Sequence, residues 1–398
     1  MKILSNRGHE MPSSPIRRLV PFADQAVADG KHVYYLNIGQ PDIKTPDTFR
    51  NSIKDMDMPV VAYGPSAGFL SLRKKFAEYY QRFDINVNAE DILITTGGSE
   101  AIIFTLMAIM DIGDEVIIPE PFYTNYNGFA VQAGVNVVPI MSSINDDFQL
   151  PPIESIREKI TDKTRAIMIC NPNNPTGYVY SKEEMEALRQ IVLDHNLFLL
   201  TDEVYREFVY DGAEHISAMH LKGIEDRVIM LDSVSKRYSA CGARIGMIVS
   251  KNNEVIEAAL KFGMARLCPP SIEQVGCEAA VDTPDSYFDE VIVEYKKRRD
   301  TMVSLLREIP GVVCPNPKGA FYLVCKLPVD DADKFAQWML TDFHINNETM
   351  MMAPANGFYS SDGLGKDEVR IAYVLNVDDI KKSINILAEG LKVYPGKI

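Results

Sequence analysis

The 398-residue chain lacks several things that would assign it quickly. Its six cysteines (Cys170, Cys241, Cys268, Cys277, Cys314 and Cys325) include no Cys-x-x-Cys pair, so neither a zinc-ligand spacing nor a compact disulfide framework is present. Buried, reduced thiols and no metal are therefore expected. No stretch approaches 18 apolar residues, and the segment Met1-Lys-Ile-Leu-Ser-Asn-Arg-Gly has no apolar core of the signal-peptide kind, which leads to an expectation of a cytoplasmic protein without a membrane span. No basic run offsets the formal charge of −14, and a nucleic-acid surface needs clustered Lys and Arg. No Gly-x-Gly-x-x-Gly follows a strand, which leaves a pyridine-nucleotide site without its signature. Internal repeats and low-complexity segments are absent too. What remains is 46% apolar and 24% charged, a composition for a soluble globular protein large enough for two domains.

The most informative stretch is Asp232-Ser-Val-Ser-Lys-Arg-Tyr-Ser-Ala-Cys-Gly-Ala-Arg-Ile-Gly246, which follows the apolar run Arg227–Leu231 expected as a buried strand. A lysine just past such a strand is open to two influences that lower its pKa, desolvation and a neighbouring cation such as Arg244. Both favour a neutral amine able to condense with an aldehyde. Around it, Ser233 and Ser235 offer hydroxyl donors and Arg244 a planar fork suited to phosphate, while Gly242 and Gly246 permit close approach of the backbone.

From Asp91 onward strand and helix patterns alternate, as in a parallel sheet covered on both faces. Ile92–Thr96 runs into Gly97-Gly98-Ser99 and a helical stretch from Ala101 to Met110, which would aim helix N-terminal amides outward. Glu115–Ile118 leads to Tyr123, Arg165–Cys170 to the turn-prone Asn171–Gly177 with Asn174, and Leu197–Leu200 to Asp202 and Tyr205. Ser181-Lys-Glu-Glu184 has the form of a capping box. Five strands thus end in polar or turn-forming groups, and open α/β sheets bind ligands at such ends. Past about residue 285 the rhythm changes to a charge-rich helix over 289–308, strands over 320–327 and 369–375, and helices over 333–343 and 378–391. This fits a smaller α+β domain. The run Met350-Met-Met352 reads as core and turn.

Taken in order, Ser233-x-Ser-Lys236-x5-Gly-x-Arg244-x-Gly resembles the cofactor-lysine motif of class I, fold-type I aminotransferases, which depend on pyridoxal 5′-phosphate (PLP). The resemblance extends from Gly39 in Gly-x-Pro-Asp, through Asn174 in Asn-Pro-Thr-Gly and Asp202 in Asp-x-x-Tyr, to Arg370 in Val-Arg-Ile-Ala-Tyr. It implies a large domain over 49–284 with a mainly parallel central sheet, and a small domain built from 1–48 and 285–398. It also implies roles. Lys236 would carry the cofactor as a Schiff base and serve as general base; Asp202 would pair with the ring nitrogen; Tyr205 and Asn174 would bond the ring oxygen; Tyr123 would stack on the ring. Gly98, Ser99, Ser233, Ser235 and Arg244 would hold the phosphate. The Gly39 backbone, Asn174 and Arg370 would meet the substrate, with Arg370 on its α-carboxylate.

Tyr63, opening Tyr-x4-Gly-x3-Leu-Arg, would reach the phosphate of a neighbouring subunit, which implies a homodimer with shared sites. Two departures from the family pattern stand out. Ala243 replaces a bulky residue before the phosphate arginine, and Ser99 stands where some aspartate-preferring relatives place a lysine. This leaves Arg17, Arg18 and Arg266 as candidates for any distal carboxylate of the substrate. The expected activity is transfer of an amino group from an L-amino acid, with a lean toward aspartate, to a 2-oxo acid such as 2-oxoglutarate. A PLP-dependent β-elimination lyase and a non-catalytic PLP-binding regulator are the alternatives.

Overall fold

A computed structural model describes residues 3–398. Its strands are β1 (His32–Tyr35), β2 (Ile92–Thr95), β3 (Glu115–Glu120), β4 (Asn136–Met141), β5 (Thr164–Cys170), β6 (Phe198–Asp202), β7 (Val228–Ser233), β8 (Gly246–Val249), β9 (Tyr322–Lys326), β10 (Glu348–Met351), β11 (Ala353–Pro354) and β12 (Glu368–Ala372). Seven form one sheet in the order β2-β8-β7-β6-β5-β3-β4. Only β8 runs against its neighbours β2 and β7; every other pairing in that sheet is parallel.

The sequence of the central strands explains their place. Every residue of β7 is buried, as are all but the first of β6, the near-continuous apolar pattern of a strand covered on both faces. Successive side chains point to opposite faces: Leu200 packs with Ile102 and Leu106 of the helix Gly97–Ile109, whereas Leu199 packs with Leu188, Ile191 and Val192 of the helix Lys182–His195. That second helix begins in the expected capping box. The Ser181 hydroxyl accepts from the Glu184 amide at 3.2 Å, and the Glu184 carboxylate accepts from the Ser181 amide at 2.7 Å.

The rest of the chain builds two smaller sheets, an antiparallel β11-β12-β9 and a parallel pair β1-β10. They share an apolar core with the helices Val20–Ala28, Asp285–Arg307, Ala332–Thr341 and Val377–Val393. The methionine run is core but not turn, since Met350 and Met351 lie in β10, paired with Tyr34 and Tyr35 of β1. The flexible thioether chains fill space between that strand and its helices. Four cysteines are buried, Cys241 and Cys268 are half-buried, and all six are free thiols. Among the described residues no helix is long and apolar enough to cross a membrane, and no cluster of His, Cys, Asp or Glu could hold a metal.

Candidate active site

The carboxyl ends of β2, β3, β5, β6 and β7 open into one cleft of about 640 Å³, closed on its far side by Gly39, Tyr322 and Arg370. Gly98, Ser99, Tyr123, Asn174, Asp202, Tyr205, Ser233, Ser235, Lys236 and Arg244 all line it. Twelve positions singled out from separate stretches of sequence, these ten with Gly39 and Arg370, are thereby brought together. Tyr63 is the exception, 81% exposed and away from the cleft of its own chain, beside the exposed Val60 and Val61.

One end of the cleft is made for an anion. Ser233 ends β7 in an extended conformation and caps the short turn Val234–Arg237; its hydroxyl shares a 2.8 Å hydrogen bond with the Ser235 hydroxyl. The helix Gly97–Ile109 starts at the glycines rather than at Ala101, so the amides of Gly98 and Ser99 belong to its first turn, where N–H groups are free of intrahelical partners. Two glycines allow this crossing. A Cβ at Gly246 would run into the Gly97–Gly98 backbone, and one at Gly97, where φ is +75°, would overlap the Arg244 guanidinium. Arg244 itself sits at φ +53°, which folds its side chain back under the helix start.

In the middle of the cleft, the Asp202 carboxylate accepts the Tyr126 hydroxyl at 2.8 Å and the Val204 amide at 3.3 Å, and among the described residues has no cation paired with it. Burial pushes its pKa up to about 6, against the pull of the Tyr126 hydrogen bond, with the nearby charges of Asp232 and Glu203 adding to the rise. Lys236 Nζ donates to the Gly39 carbonyl at 2.7 Å. The Tyr205 hydroxyl lies 3.0 Å from that of Tyr322, a residue the sequence reading missed. Nothing in Gly319-Ala-Phe-Tyr322 distinguishes it from an ordinary strand start. Its ring nevertheless packs so tightly on Gly39 that a Cβ there would overlap its hydroxyl. Cys241, within the lysine motif but read only as a thiol, also faces the cleft, 3.9 Å from Lys236 Nζ.

At the other end Arg370, on β12 and 1% exposed, donates to Asn174 Oδ1 at 3.1 Å and to the Asn37 carbonyl at 2.5 Å. Its guanidinium lies over the rings of Tyr322 and Phe358, and its Nε has no partner. Among the described residues no carboxylate neutralises it. Of the other arginines, Arg18 is paired with Asp333, and Arg266 is tied to Glu100 and to the carbonyls of Ser66 and Ile94. Arg17 lines the cleft, is exposed, and makes no ion pair among the described residues.

The fold and cleft define an α/β protein that gathers donors suited to an anion beside a lysine amine. The family described as aminotransferase class I and II matches residues 31–386, and the chain belongs to it. It is 30% identical to an aspartate aminotransferase of Bacillus subtilis over 96% of this chain and 97% of the other, and 29% identical to aromatic-amino-acid aminotransferase 2 of Thermococcus litoralis over 98% of each. Among solved structures it is similar to the aspartate aminotransferase of Thermus thermophilus with maleate, at a TM-score of 0.88 and 27% identity, over 98% of this chain and all of that one. The enzyme is therefore a fold-type I, PLP-dependent aminotransferase; these matches disfavour the lyase and regulator alternatives.

The cleft fits that cofactor on its own terms. It offers an amide-and-hydroxyl cradle with an arginine for the phosphate, a buried carboxylate without a cation for the ring nitrogen, and an amine between them. Asp202 can be tested directly. Burial pushes its carboxyl from the ordinary 3.8 up to about 6, so the folded protein binds the proton more tightly and loses stability as pH rises from about 4 to about 6. Cofactor-free Asp202→Asn should therefore be more stable than wild type at pH 7.5, by up to about 3 kcal/mol, with the gap closing near pH 4. Its PLP affinity should fall at least about tenfold. Thermal unfolding at both pH values and a PLP titration check this; identical melting at pH 7.5 would contradict it.

Proposed function

We propose that the enzyme moves the amino group of a dicarboxylic L-amino acid, with aspartate the leading donor, to 2-oxoglutarate, as a cytoplasmic homodimer. Residues 49–284 would form the large domain of each subunit, and 1–48 with 285–398 the small one. The observation that carries the substrate reading is a charge count. Arg17, Lys236, Arg244 and Arg370 line the cleft against a single acid, Asp202. A phosphate held by Arg244 and an α-carboxylate held by Arg370 leave Arg17 free for a further carboxylate at the rim.

In this reading Arg370 presents its guanidinium to the α-carboxylate, with the stacked Tyr322 and Phe358 rings fixing the plane of the fork. Bound PLP supplies an electron sink that acidifies the substrate Cα. Lys236 Nζ, released from the Gly39 carbonyl, would take the Cα proton and deliver it to the far side of the substrate nitrogen, a 1,3 shift. Asp202 holds a proton at the ring nitrogen, and Asn174 with Tyr205 holds the ring oxygen. The Tyr322 hydroxyl beside that of Tyr205 can accept or donate, which orients the Tyr205 proton. Burial of Asp202, Tyr205 and Arg370 keeps water from these contacts.

Arg17→Gln should raise KM for aspartate, glutamate and 2-oxoglutarate about tenfold while changing KM for alanine less than about twofold, as expected for loss of one charge-assisted contact at a partly exposed rim. A panel of amino donors against wild type and variant decides; equal effects on alanine and aspartate would remove Arg17 as the distal ligand.

Assembly has its own test. The exposure of Tyr63, Val60 and Val61 supports a reading in which Tyr63 completes the partner's phosphate site across a two-fold axis. Lys236→Ala and Tyr63→Ala parents, mixed under subunit exchange, should regain activity toward at most about half of wild type, because one site of each heterodimer then carries neither lesion. Exchange without recovery would mean that Tyr63 acts within its own chain or only in packing, and the shared-site reading would fail.

A further inference from the structure

Next to Asp202 and Lys236 in sequence, but turned away from the cleft, lie five acidic and basic side chains that the chemistry above does not use. Glu203, Arg206, Asp232 and Arg237 are each at most 2% exposed, and the Glu207 side chain is 7% exposed. Arg206 donates to Glu203 at 3.0 Å and lies 3.8 Å from Asp232; Arg237 donates to Asp232 at 2.5 Å and to Glu207 at 2.7 Å. Tyr80 from the helix Leu70–Gln81 donates to Asp232 at 2.7 Å, and Tyr79 donates to Glu207. The Ser217 hydroxyl and the Ala218 amide donate to Glu203. Burial raises the Glu203 carboxyl, against the pull of Arg206 and the Ser217 hydroxyl. Burial, helped by Arg206, pushes His215 down to about 3, and burial raises the Tyr79, Tyr80, Tyr238 and Cys277 side chains.

Burying so many ions costs desolvation energy that apolar side chains of similar volume would avoid. The cluster sits where the turn after β6, which carries Asp202 and Tyr205, meets the end of β7, which carries Ser233 and Lys236. Asp232 Oδ1 also accepts the Ser233 amide at 2.7 Å. Three carboxylates and two guanidiniums leave one negative charge in excess. We infer that these five are positioning residues that lock the ends of β6 and β7 together and hold one excess negative charge behind Asp202 and Lys236, where it favours a cation in the cleft. After burial, the charges of Asp232 and Glu203 act in the direction that raises the Asp202 carboxyl. The inference rests on the reading that Lys236 and Asp202 hold PLP.

The test is the pH midpoint of the visible absorption band of the PLP-loaded enzyme, which reports loss of a proton from a cation in the cleft. Arg237→Gln makes the cluster more negative and should raise the midpoint. Asp232→Asn makes it less negative and should lower it, each by roughly one pH unit. The double variant keeps the excess at one and should return close to wild type, and Glu207→Gln should lower the midpoint. A purely structural cluster would instead lower the melting temperature of both single variants without opposite shifts. Same-direction or absent shifts in folded variants overturn the inference; if Arg237→Gln does not fold, the double variant and Glu207→Gln decide it by the same criteria. A wild-type protein with no visible band on PLP addition would sink the cofactor reading itself, which is a distinct result.

Discussion

Among the described residues, the cleft is arranged around charges that lack partners of opposite sign. Arg370 is buried without a carboxylate, Asp202 is buried without a cation, and the Arg244 guanidinium lies beneath a helix start whose first amides are also positive. Each arrangement is costly in an empty protein and becomes favourable when a ligand brings the missing charge. The surrounding fold makes that cost bearable. The apolar faces of β5, β6 and β7 are buried under helices on both sides, and this rigid sheet prevents the end groups from relaxing toward water. In the proposed reading, the cofactor and substrate would supply the counter-charges.

The same logic places the small sheets. Arg370 reaches the cleft from β12, which is paired with β9, and Tyr322 at the start of β9 lies over Gly39 near the N-terminal strand β1. Three distant parts of the chain thus meet around Arg370. Placing its guanidinium on a sheet rather than a loop fixes its plane, and the Tyr322 and Phe358 rings limit its rotation.

Much of this is legible in sequence, for identifiable reasons. The strands of the parallel sheet announce themselves as short apolar runs, and the polar groups that follow them fall at the ends where a parallel sheet binds ligands. The capping box at Ser181 is a local signal and appears where expected. What depends on long-range pairing is not legible. β8 runs antiparallel between β2 and β7, the methionine run becomes a strand because β1 pairs with it, and Tyr322 joins the site through contacts with residues more than 100 positions away. The buried cluster around Arg237 is hidden for a related cause. Its acids and bases look like ordinary surface charges until Tyr79, Tyr80 and the β6 turn enclose them.

The central claim is that the amine of Lys236, at the end of β7, is the point where this chain holds PLP. Borohydride reduction of the PLP-loaded enzyme followed by peptide mapping tests it most directly. The account predicts loss of the visible band and one stable cofactor adduct, on Lys236. An adduct on any other lysine, or bleaching with no cofactor retained on the chain, would contradict it.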